Sequence, residues 1–156
     1  MSEKETSIQE DEESSDYLTV TIAGQRFGIP VLQVQDVLRE QTVTRIPLAP
    51  KEVAGSLNLR GRIVTAIDVR KRLGLSAKND NRPSMSVVVE YSGELFSLII
   101  DSVGDVLRFK NQYYESNPGT LDPLWRDISK GIYQLEEELL VIMDVSRLLE
   151  GVGKQG

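Results

Sequence analysis

A chain of 156 residues has material for one ordinary domain, or for two small units that share a core. It contains no cysteine and no histidine, which removes disulfides, thiolate metal sites, the cysteine nucleophile and the commonest general base. Its net charge of −6 sits at one end: residues 1–16 carry seven acids against Lys4 alone, while the other 140 residues balance 17 acids with 17 bases.

The segment 1–16 is poor in apolar residues and is predicted to be a disordered acidic tail that confers solubility. Tyr17 to Ile22 alternates apolar with polar, the period of a half-buried strand, and Gly24-Gln25 turns the chain into a second strand over Arg26 to Ile29. Pro30 suits the first turn of a short helix, on which Val31, Val34, Val37 and Leu38 share one face. Gln41 to Ile46 reads as a strand ended by the rigid Pro47 to Pro50 turn, and Lys51 to Ala54 as one helical turn. Ser56 to Arg60 and Ile63 to Ile67 form a hairpin. Asp68 then caps a short helix that Gly74 stops. Beyond a polar link over Ser76 to Pro83, Met85 to Tyr91 and Leu95 to Ile100 make another hairpin, and Val106 to Lys110 a further strand. Tyr113 to Arg126 reads as a long loop. Ile128 to Leu135 and Leu139 to Met143 follow as strands, and Asp144 caps a last helix to Leu149.

The chain repeats itself. Gly24, Phe27, Val34, Asp36, Val37, Leu38 and Arg39 recur 69 positions later as Gly93, Phe96, Val103, Asp105, Val106, Leu107 and Arg108. Gly55, Leu59, Asp68, Val69 and Leu73 recur 76 positions later as Gly131, Leu135, Asp144, Val145 and Leu149. Two copies of one unit, each too small to be stable alone, predict a mainly β fold of two small tandem barrels sharing a core, with a few short helices. The expected boundaries are 17–78 and 83–150, with a flexible C-terminus at 151–156. Repeated positions such as Val37, Leu38 and Gly55 read first as scaffold, and Asp68 and Asp144 as twin helix caps. Arg70 to Arg72 reads as a solvated helix face, and Trp125 as either a plug at the junction or an anchor for a partner.

The copies differ at their hairpin tips: Asn58, Leu59, Arg60, Gly61 and Arg62 align with Gln134, Leu135, Glu136, Glu137 and Glu138. Arg60 beside Gly61 sets a planar five-donor cation next to a residue that tolerates positive φ, which suits a contact surface as well as a plain solvated turn. Together with Gln33 to Val37, Thr44 to Pro47, Val53 to Gly61 and Ile67 to Arg70, this run resembles the CheW family of chemotaxis coupling proteins over about residues 17–150. The resemblance implies two tandem five-stranded SH3-like barrels with a hydrophobic core between them, and no catalytic activity, cofactor or metal. It implies an adaptor joining the cytoplasmic tips of membrane chemoreceptors to the regulatory domain of a CheA-type histidine kinase, in the cytoplasm at membrane-associated receptor arrays. Family receptor contacts map onto Val31, Val34, Asp36, Gly55 and Arg60, and the kinase contact onto Ile46, Pro47 and Leu48. Where the family usually has Glu and Pro, this chain has Asp36 and Thr65. Pairing of Asp36 with Arg60 across the groove between barrels is expected to make alanine substitutions at the two positions non-additive in partner binding.

Other function classes find less support. Without histidine or cysteine a hydrolase is left with Ser-Lys or carboxylate schemes, and no Gly-rich phosphate loop opens a helix. A small-barrel nucleic-acid module would need basic residues interleaved with exposed aromatics, whereas the body is neutral and Phe27 and Phe96 read as core. A coupling scaffold in a different kinase pathway, such as surface motility, remains the near alternative. No apolar run approaches the roughly 20 residues that span a bilayer, and the N-terminus is not signal-like, so a soluble protein without membrane insertion is expected.

Overall fold

The computed structural model describes residues 13–153. Its first hairpin joins β1 (Ser14–Ile22) to β2 (Gln25–Pro30). Ala23 and Gly24 form the turn with φ of 51° and 81°, a pair of left-handed residues whose twist matches that of the flanking strands. A 3-10 turn (Val31–Gln33) leads into β3 (Val34–Arg39), then β4 (Val53–Leu59), β5 (Arg62–Asp68) and helix α1 (Val69–Arg72). The second half repeats the order: β6 (Met85–Tyr91), β7 (Glu94–Ile100), β8 (Ser102–Lys110), a 3-10 turn (Asn111–Tyr113), α2 (Pro123–Arg126), β9 (Ser129–Gln134), β10 (Leu139–Met143) and α3 (Val145–Glu150). Asp68 and Asp144 cap α1 and α3 by accepting the N–H of Lys71 and Arg147.

The strands form two five-stranded sheets, ordered β8-β1-β2-β10-β9 (barrel I) and β3-β6-β7-β5-β4 (barrel II). The tandem boundary expected near residues 78–83 is therefore not a boundary between barrels. The first copy contributes its opening hairpin to barrel I and its last three strands to barrel II; the second copy does the reverse. The physical reason lies at the free edges of β2 and β7. Each is satisfied by a parallel partner, β10 and β5 respectively, and parallel neighbours need long crossovers that the exchange supplies. The shared core runs between the sheets and draws on both copies, with Ile22, Phe27, Ile29, Ile67, Leu98, Ile100, Ile128 and Met143 all essentially inaccessible. Each such side chain contributes roughly 1.5–3 kcal/mol by burial, and neither copy could supply that core alone.

Five local expectations are corrected. Val34 to Arg39 is a strand and not a helical face, so alternation replaces helical spacing: Leu38 turns into barrel II while Val37 and its repeat Val106 are exposed. The segment 41–46 pairs only through Thr44, which bridges Ser56, and Lys51 enters β4 through a turn and not a helix. Arg70 and Arg72 are not a solvated face. Arg70 chelates Asp101 (2.8 and 2.7 Å), and Arg72 donates to the Leu148 and Arg147 carbonyls at the end of α3, tying the copies together. The acidic tail ends earlier than expected, because Ser14 to Asp16 belong to β1; near the other end the Gly153 N–H reaches the Glu52 carboxylate at 3.4 Å. The remainder of the expected acidic tail, 1–12, and residues 154–156 lie outside the described residues. Trp125 plugs the core, edge-on to Phe27 at 5.2 Å.

Candidate functional site

The hairpin tip between β4 and β5 explains its own sequence. Arg60 and Gly61 sit at φ of 50° and 86°, the two left-handed positions of a tight turn, and Asn58 Oδ1 locks it by accepting the Gly61 N–H at 2.9 Å. Leu59 packs with Leu38, Leu57 and Val64 inside barrel II. Arg60 is thus thrown outward with its side chain 72% exposed, and its Nη2 donates to Asp36 Oδ2 at 2.5 Å. Arg60 and then the Val37 N–H hold the Asp36 carboxyl below its ordinary value of 3.8, against a smaller opposing push from burial. The expected pair exists, with one correction: β3 and β4 are the two edges of barrel II, so the pair closes one barrel and does not span the groove between two.

The loop between β3 and β4 carries the second set of candidates. Ala49 N–H bonds to Ile46 O at 3.3 Å, placing Pro47 and Leu48 at the centre of a turn. Leu48 has φ of 63°, where glycine is the usual occupant, and is 104% exposed. Ile46 is exposed beside it. Between this loop and Lys71 of α1 lies a cleft of about 570 Å³, with Arg45 and Lys51 also on its walls.

The remaining candidates are arranged as follows. Val31, on the turn after β2, borders a second cleft with Asp16, Tyr17 and Arg108, while Val34 packs against the shared core. Gly55 is buried and offers no side of its own: a Cβ there would meet the Thr44 carbonyl oxygen at 2.3 Å, so glycine lets the Thr44 segment cross β4. Its repeat Gly131 does the same under Tyr114 and Glu115. Sequence reasoning missed Leu32, 96% exposed beside Val31. A signal was available, because Leu32 aligns with Asp101 at the 69-residue offset, an apolar residue against a charged one. Among the described residues, no group of three or more acidic, cysteine or histidine side chains could hold a metal, and no helix is long and apolar enough to cross a membrane.

A family model described as the CheW-like domain matches residues 16–152, including both barrels. The chain belongs to the CheW-like family. Among proteins similar to it, the chemotaxis protein CheW of Helicobacter pylori is 28% identical over 145 residues, covering 92% of this chain and 87% of that one. The chemotaxis protein CheW of Bacillus subtilis is 28% identical over 137 residues, 86% of each chain. The crystal structure of the scaffolding protein TtCheW from Thermoanaerobacter tengcongensis superposes with a TM-score of 0.78 at 26% identity, covering 90% of this chain and 95% of that one. The fold and the scaffold type of chemotaxis protein expected from the resemblance are those of this family.

Proposed function

We propose that this CheW-like protein is a non-catalytic adaptor coupling transmembrane chemoreceptors to a CheA-type histidine kinase at membrane-associated arrays. The observation that carries the reading is Leu48. A leucine in the left-handed region costs about 1–2 kcal/mol, and full exposure returns nothing to the fold. Such a residue makes sense as an apolar contact for a partner, with Ile46 and Pro47 beside it; this is the kinase face. Weak apolar contacts of this kind gain strength by multivalency in an array. The receptor face takes Val31, Val34, Asp36 and Arg60, with Gly55 supporting the backbone beneath. The Asp36–Arg60 pair holds the guanidinium in one place while leaving it exposed.

The test is a titration of the regulatory domain of the organism's own CheA-type kinase with wild type, Leu48→Asp and Arg60→Glu, each checked for folding by circular dichroism. Micromolar binding by the wild type, lost in Leu48→Asp and kept in Arg60→Glu, is the expected result. Arg60→Glu in turn should lose binding to receptor cytoplasmic fragments. No binding by the folded wild type would remove the kinase from the function.

A further inference from the structure

The two barrels share a frame but not an interior. Strand register makes Tyr17, Gly28, Tyr133 and Ile142 of barrel I the equivalents of Ser86, Ser97, Leu57 and Ala66 of barrel II. In barrel I these positions are filled by an aromatic cluster, with Tyr17 5.6 Å from Tyr133 and Phe109 stacked on Tyr133 at 4.6 Å. Packing there is tight enough that a Cβ on Gly28 would meet Ile142, Leu140 and Tyr17 at 3.1–3.2 Å. The mouth of barrel I is consequently a surface depression over Tyr17, Tyr114 and Tyr133.

Barrel II replaces each of the large side chains with a smaller one. The space freed is a recessed cavity of about 220 Å³ walled by Leu57, Ala66, Ser86 and Ser97, with Val43 and Gln41 at its rim. Ser97 is 1% exposed, and its Oγ has no hydrogen-bond partner among the described residues. A buried hydroxyl left unpartnered is costly, and barrel I shows that a glycine fits the same strand position. An apolar cavity of about 150 Å³ already accommodates a benzene ring, whereas drug-sized ligands need roughly 300 Å³ or more.

We propose that the interior of barrel II is a binding site for a small neutral molecule with one aromatic ring and one hydroxyl, the ring taking the place that Tyr17 occupies in barrel I and the hydroxyl satisfying Ser97. No lysine or arginine lines the cavity, and Glu40 at its edge disfavours anions, so a phenol, un-ionised at neutral pH, fits better than a benzoate. The site belongs to the free protein and does not depend on the adaptor reading.

The experiment titrates the full chain with p-cresol, toluene and benzoate, following amide and methyl chemical shifts. Saturable shifts centred on Leu57, Ala66 and Ser97, with p-cresol binding at about 1 mM or tighter and benzoate at least about tenfold weaker, are expected. Ser86→Phe should abolish binding by placing a ring in the cavity, and if that variant fails to fold, Ala66→Ile, copied from Ile142, serves the same end. Ser97→Ala should keep toluene binding while removing the preference for p-cresol. The proposal is overturned if no saturable shift appears, as for a cavity that holds water only. Shifts centred on Tyr17 and Tyr133 of barrel I, or unchanged binding by the filled variants, would overturn it equally.

Discussion

The loop from β3 to β4 and the loop from β8 to β9 hold equivalent places in equivalent barrels, yet they treat their aliphatic residues in opposite ways. The first raises Ile46 and Leu48 into solvent. The second, longer by five residues, leaves Tyr113 exposed but folds back and buries Leu121 and Ile128, with Trp125 edge-on to Phe27. The connections one step earlier show the same contrast. After β2 the chain exposes Leu32; at the aligned position after β7 it places Asp101, clamped by Arg70 and by the Ala23 N–H at 2.9 Å. The hairpin tips continue the pattern, with Arg60 outward in one and glutamates in the other. Duplication supplied two sets of links. The first copy's links display aliphatic side chains, and the second copy's add Leu121, Ile128 and the Asp101 clamp to the body.

The sharpest break of that contrast is at Trp125. Trp125→Ala should cost about 3 kcal/mol in urea unfolding, because it opens the shared core, while Leu48→Asp should stay within about 0.5 kcal/mol of wild type. Comparable losses from the two would mean that both loops are structural.

A middle-sized effect is expected at Asp101. Burial pushes its carboxyl up, but Arg70 and the Ala23 N–H together outweigh that and hold it below its ordinary 3.8. A carboxylate depressed in the folded state stabilises above the unfolded value and loses that contribution as pH falls through the folded one. Asp101→Asn should therefore cost about 2 kcal/mol at pH 7, and the gap to wild type should close below pH 3.8, followed by thermal unfolding across pH 7 to 3. A gap independent of pH would mean that the clamp acts through packing and not charge.

The smallest effect has the opposite sign. Leu48→Gly should stabilise the free protein by about 1 kcal/mol by relieving the left-handed backbone, while weakening kinase binding. If it destabilised instead, Leu48 would be part of the fold, and its exposure would say nothing about a partner.

Much of this was legible in local sequence. Alternation marked the strands, Asp68 and Asp144 marked the caps, and the Asn58 to Gly61 run marked a tip whose every residue has a visible task. The period at Val31 to Leu38 misled because valines spaced for a helix also fit a strand, and only the pairing of Asp36 and its neighbours with β6 settles which. The Arg70 to Arg72 run misled in the same manner, since nothing in three consecutive cations reveals that Asp101 and the end of α3 lie within reach.

By itself the sequence determined that there are two copies of one unit, where most of the strands, turns and helix caps fall, and which positions the copies do not share. Those properties rest on side-chain periodicity and turn chemistry, which act over a few residues. The tertiary structure alone decided that the copies exchange strands, that Asp36 meets Arg60 within one barrel, and that barrel II has a recessed cavity where barrel I packs an aromatic cluster under an open depression. Each of these depends on which sheet edge is completed by which distant strand, and that choice is made by the shared core as a whole.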